Sequence, residues 1–85
     1  MTSLYERLKT SPKVVGVKQT RKAILSGEAM AVYIARDAER RVIAPIVDAC
    51  EKAGISPLWA DTMTELGTVC RIEVGAACAA VLANE

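Results

Sequence analysis

The chain has 85 residues, 52% hydrophobic and 25% charged with a net charge of +1, which implies one small globular domain spanning 1–85 rather than a disordered segment. Its apolar stretch Val74 to Ala83 is far short of the ~20 residues a membrane helix needs, and the opening MTSLYERLKT lacks the apolar stretch of a signal peptide. Histidine is absent, and Tyr5, Tyr33 and Trp59 are the only aromatics, which removes the usual general base and any broad stacking platform for bases.

In chain order, Ser3 to Lys9 reads as a helix: Ser3 caps, Glu6 follows at capping-box spacing, and Leu4 and Leu8 share a face. Pro12 stops it. Lys13 to Val17, with β-branched valines around Gly16, suits a short buried strand. Lys18 to Ser26 is the next helix, closed by Gly27 in the C′ role. Ala29 to Ala35 is a nearly continuous apolar run, the pattern of a strand covered on both faces. Residues 36–39 make a turn. Arg40 to Ala53 is the longest helix, with Val42, Ile43, Ile46, Val47 and Cys50 at helical spacing and Gly54 after its end. Pro45 either begins its regular part or kinks it. Ser56 to Ala60 is a strand. Asp61 or Thr62 caps a short helix to about Val69, with Met63, Leu66 and Val69 inward. Ala76 to Ala83 is helical by its alanine content, although a small-residue strand packed under helices fits as well. Alternating strands and helices predict an α/β fold, a three-layer α/β/α domain around a parallel or mixed sheet.

The charge is unevenly placed. Residues 1–22 hold six Lys or Arg against one Glu, a net +5, and residues 23–85 hold five against nine, a net −4. A basic first quarter on an acidic remainder points to a localised surface for anions, or to a solvated charged face. The stretch VVGVKQTRK places a strand, a glycine and a helix start next to Lys18, Gln19, Arg21 and Lys22. It lacks the second glycine and the Lys-Ser/Thr pair of a Walker phosphate loop. Lys18 and Lys22 share a helix face, and a glutamine amide beside them can pair with a base edge. In RIEVGAA, the apolar Ile72 and Val74 flank Glu73. They lead either into a buried element or onto a partner-facing patch. Cys50, Cys70 and Cys78 have no zinc-like spacing and read as reduced, mostly buried thiols of a cytoplasmic protein. No metal, cofactor or small-molecule substrate is expected, and nothing supports an enzyme.

Taken in order, GVKQTRKAI, IARDAE, ISPLWADTMTELG and CRIEVGAACAAVL resemble the kink-turn RNA-binding ribosomal protein family, that of the archaeal large-subunit protein seven-Ae and the eukaryotic thirty-e. The similarity runs from about Lys9 to Leu82 and looks closest to small bacterial YbxF-type members. The resemblance implies an α/β/α sandwich on a four-stranded mixed sheet. It also implies a helical turn region over Glu73 to Cys78 and a final strand in Ala79–Ala83. The implied partner is a kink-turn: a bulge flanked by tandem sheared G·A pairs, carried by ribosomal or riboswitch RNA. By position, Gly16 allows close backbone approach, Lys18 and Gln19 contact the guanines, and Lys22 holds a base edge or phosphates. Arg21 and Lys13 add phosphate contacts. In the second loop, Ile72 and Val74 cover the splayed bulge nucleotides and Glu73 orients the loop. Archaeal members usually have Asn-Glu where this chain has Lys18-Gln19, a pair the bacterial members share. Arg71 stands where glycine is common: either it strains the loop, if the position needs a positive φ, or it supplies a phosphate contact. The expected protein is a non-catalytic, monomeric RNA binder. The alternative is the same fold docking to ribosomes or other proteins without specific kink-turn binding.

Overall fold

The computed structural model describes residues 5–82. Ser3 and Leu4 of the predicted first helix, and Ala83 of the predicted last strand, lie outside the described residues. The elements follow as α1 (Glu6–Thr10), β1 (Lys13–Val15), α2 (Val17–Leu25), β2 (Ala29–Ala35), α3 (Arg40–Ala53), β3 (Leu58–Ala60), α4 (Met63–Val69) and β4 (Cys78–Leu82). The four strands form one mixed sheet in the order β1-β4-β2-β3, with β4 antiparallel to both its neighbours and β2 parallel to β3.

The sheet is covered on both faces, which makes the three-layer sandwich. α2 packs against α3 on one side. On the other, the Tyr5 ring that precedes α1 lies 6.1 Å from the Tyr33 ring of β2, and its hydroxyl hydrogen-bonds to Glu65 of α4. Alternation along β2 then sends Val32 and Ile34 toward α2 and α3, and Tyr33 toward α1 and α4. All three are buried, as are Leu8, Ile46 and Leu66 from the helices.

β2 and α3 match the predicted spans, since a seven-residue apolar run and a long 3.6-residue period are strong local signals. Pro45 falls inside α3, and the helix continues through it. The predicted strands at Lys13–Val17 and Ser56–Ala60 are shorter in the structure, three residues each. α2 starts one residue early because Gly16, at φ 103°, is already its N-cap.

The larger correction concerns the last segment. Residues 73–77 are irregular, so the helical turn region expected over Glu73 to Cys78 does not form, and Cys78 belongs to β4. Helix propensity loses to position here. β4 is a central strand bonded on both edges, and Cys78, Ala79, Ala80 and Val81 are buried beneath helices from both layers. Small side chains suit a strand so tightly covered.

Candidate functional site

The registers bring several loops to one end of the sheet. β1 and β2 finish there and β4 begins there, with Val15 opposite Ala79 and Ile34 opposite Cys78. Gly16 donates its N–H to the Cys78 carbonyl at 2.9 Å, which fastens the start of α2 to the end of the 71–77 loop. The segment 16–22 and the loop that carries 71–74 are therefore fastened at the same end of the sheet.

At the first segment, Gly16 takes a φ and ψ of 103° and 159°, a conformation L side chains rarely adopt. No side chain caps α2, and its first turn holds no acidic residue. Thr20 N–H already bonds the Gly16 carbonyl, so the N–H groups of Val17, Lys18 and Gln19 have no acceptor among the described residues. Such a turn presents free donors and partial positive charge. Lys18, Gln19, Arg21 and Lys22 are exposed around it. None of the three cations ion-pairs with a described carboxylate. Their repulsion leaves the surface suited to an incoming anion.

Thr20 faces the opposite way, fully buried, and its hydroxyl makes no satisfactory hydrogen bond. The Cys78 thiol lies beside it, a weak partner at best. Burial pushes the thiols of Cys50, Cys70 and Cys78 up, which keeps them protonated and unreactive. All three are free. Lys13 stands apart from the α2 cations: it is part-buried on β1, where its charge acts on Cys70.

The second segment begins at the end of α4. Ile72 N–H bonds the Gly67 carbonyl and Arg71 N–H bonds that of Thr68, a Schellman closure in which Arg71 takes the left-handed position at φ 64°. α2 ends in the same motif, with Gly27 at φ 80° in the equivalent place. Arg71 is the one described non-glycine residue with positive φ. The loop then lies flat on α4. A Cβ on Gly67 would collide with the Val74 carbonyl oxygen, and one on Gly75 would come within 3.1 Å of Met63 Cβ. Ala76 N–H bonds the Met63 carbonyl, and Ala35 N–H bonds that of Ala77. Held this way, Ile72 packs against the core while Val74 is 71% exposed, so one apolar residue anchors the loop and the other is presented. Arg71 and Glu73 are exposed without ion pairs among the described residues.

Sequence reasoning missed the supports of this surface: the Cys78 carbonyl, Gly67 and Gly75, and Asp37, whose carboxylate accepts from Met63 N–H at 2.8 Å at the start of α4. A glycine within the predicted α4 was the visible clue, because a helix keeps one where another backbone approaches.

Comparison with known proteins bears on the family and the fold. An RNA-binding protein of Caldanaerobacter subterraneus subsp. tengcongensis is 52% identical over 73 residues, covering 86% of this chain and 89% of that protein. RNA-binding protein YbxF of Geobacillus stearothermophilus is 39% identical over 79 residues, covering 92% of this chain and 96% of its own. The fold is that of the Giardia lamblia 15.5kD RNA binding protein, with a TM-score of 0.85 and 23% identity over 96% of this chain and 72% of that one. Residues 2–85 match the model of one family, and the chain belongs to it: the ribosomal protein L7Ae/L30e/S12e/Gadd45 family.

Proposed function

We propose that this chain is a cytoplasmic, non-catalytic RNA-binding protein that recognises kink-turn RNA, with ribosomal or riboswitch RNA as its natural carrier. The observation that carries the reading is the uncapped start of α2: three N–H groups without an acceptor beside Lys18, Arg21 and Lys22 without an ion pair, all among the described residues, tied through Gly16 to a loop that presents Val74. The near full-length relatives described as RNA-binding proteins support it.

In this reading Gly16 leaves room for a base edge to approach backbone. Lys18 and Gln19 bond the guanines of the tandem G·A pairs, and Gln19 supplies both a donor and an acceptor. Lys22, Arg21 and Arg71 neutralise phosphates. Val74 covers the splayed bulge nucleotides, where RNA exposes its bases to protein, Ile72 anchors the loop from the core side instead of sharing that cover, and Glu73 orients the loop.

The test is a titration into a labelled kink-turn RNA and into the same RNA with Watson–Crick pairs replacing its tandem G·A pairs, at two salt concentrations. Tight binding to the first and weak, salt-sensitive binding to the second is expected. Gln19→Ala should weaken the first by about 1–3 kcal/mol and leave the second unchanged. Equal weak binding to both RNAs would reduce the interaction to charge attraction and refute kink-turn recognition.

A further inference from the structure

The end of the sheet farthest from β1 carries a second surface. β3 is an edge strand with β2 on one side only. Between it and α3 runs a groove of about 490 Å³, lined by Arg36, Arg40, Ala44, Val47, Glu51 and Trp59. It continues past Glu51 and Trp59 to Gly54 and Pro57. Its apolar part is formed by Ala44 and Val47 of α3 and the Trp59 ring, and Val47 remains 38% exposed there. Arg36 sits over the Trp59 ring, 6.0 Å from its centroid, and is engaged by Asp61. Asp48 is engaged by Lys52 at 3.3 Å. That leaves Arg40 at one end and Glu51 at the other, neither ion-paired among the described residues.

We propose that this groove docks an extended peptide segment of a partner protein, which adds to the free edge of β3 and carries an acidic side chain at its Arg40 end, apolar side chains over Val47 and Trp59, and a basic side chain at its Glu51 end. Three observations define the occupant. An open strand edge is a template for one more strand, whose backbone supplies affinity while alternate side chains fill pockets. Arg40 and Glu51 are eleven residues apart on one helix, about 16 Å, a distance an extended chain covers in about five residues. The unpaired charges at the two ends have opposite sign, so complementarity requires a dipolar segment rather than a uniformly charged strand such as a nucleic-acid backbone. None of the residues lining the groove is among those assigned to RNA, so this inference does not depend on the RNA reading.

Trp59 is the only tryptophan of the chain and reports occupancy directly. The experiment titrates three end-capped seven-residue peptides into the full chain and follows Trp59 emission. All have valine and leucine at the third and fifth positions and threonine between. The first has aspartate at one end and lysine at the other, the second aspartate at both ends, the third lysine at both. The dipolar peptide should shift the emission and bind about tenfold tighter than the other two. Glu51→Lys should transfer the preference to the doubly acidic peptide and Arg40→Glu to the doubly basic one. Glu51→Lys should leave kink-turn affinity unchanged, so failure of either reading is seen without the other. The proposal is overturned if no peptide shifts Trp59 emission at millimolar concentration, or if the charge variants keep the wild-type preference. It is also overturned if a single-stranded RNA oligonucleotide shifts the emission in a way that Arg40→Glu abolishes.

Discussion

Arg71 holds a left-handed conformation that its counterpart in the closing motif of α2 leaves to glycine. An L side chain in that region costs roughly 1–2 kcal/mol, and glycine gives back roughly 0.5–1 kcal/mol of this through its greater backbone entropy in the unfolded chain. Arg71→Gly and Arg71→Ala remove the same charge from the end of α4, so the difference between them isolates the backbone. The glycine variant should be the more stable by about 0.5–1 kcal/mol, a gap of about 4 °C in melting temperature for a domain of this size. Both should bind kink-turn RNA several-fold more weakly than wild type. Both should also flatten the dependence of log K on log salt by about 0.7–0.9, the contribution of one neutralised phosphate. Urea unfolding gives the first comparison, and RNA titrations at four salt concentrations give the second. If the alanine variant matches the glycine variant in stability, the position stores no strain. If either variant keeps the wild-type salt slope, Arg71 touches no phosphate.

Other perturbations follow from the same geometry. Gly67→Ala puts a Cβ against the Val74 carbonyl and 3.1 Å from Gly75 Cα, both backbone atoms that cannot rotate away. Despite alanine's helix preference it should destabilise the fold by about 1–3 kcal/mol in urea unfolding, and stability at or above wild type would contradict the close packing. Thr20→Val removes a buried hydroxyl without a satisfactory partner; thermal denaturation should show a gain of about 1 kcal/mol, and a loss would mean the Cys78 contact is worth more than its chemistry suggests. Tyr5 is pushed up from 10.0 to about 12, first by burial and then by its hydrogen bond to Glu65 and that carboxylate's charge. Its folded state thus holds the proton more tightly than the unfolded chain. The stabilisation is fully present below pH 10 and is lost as pH rises toward 12. Tyr5→Phe should remove part of that alkaline slope in denaturant midpoints, and an unchanged slope would place the effect elsewhere.

Local signals carried much of this molecule. The run AMAVYIA and the period through Ile43, Ile46 and Cys50 gave β2 and α3 their full lengths, and Thr62 caps α4 by accepting from Glu65 N–H at 3.0 Å. The basic residues after Gly16 were legible as an anion-facing helix start because glycine, charge and period coincide within ten residues. What was not legible depends on contacts between distant parts of the chain. AACAAVLA fits helix or strand on local grounds; the family resemblance implies the final strand that β4 supplies, and its place between β1 and β2 is what decides it. Gly16 has no visible link to Cys78, nor Asp37 to Met63, because each bond joins residues far apart in sequence. The 71–74 loop is singled out by the apolar Ile72 and Val74 around Glu73, but which of them is buried and which presented is set by how Gly67 and Gly75 seat the loop on α4. That Arg71 occupies the left-handed region needed a backbone angle, which the sequence does not carry.

The position of β4 also governs when this protein can come into being during translation. β1 and β2 are never neighbours; the gap between them is filled by the last of the eight elements to be made. A nascent chain that has released residues up to Ala77 owns every helix and three strands, yet β1 has nothing to pair with and Gly16 has no carbonyl to hold it. Loop-closure entropy between residues 13–15 and 79–81 must be met before the sheet closes. The four-stranded sheet therefore closes late, and Gly16 gains its hold on the 71–77 loop only after β4 has left the ribosomal tunnel.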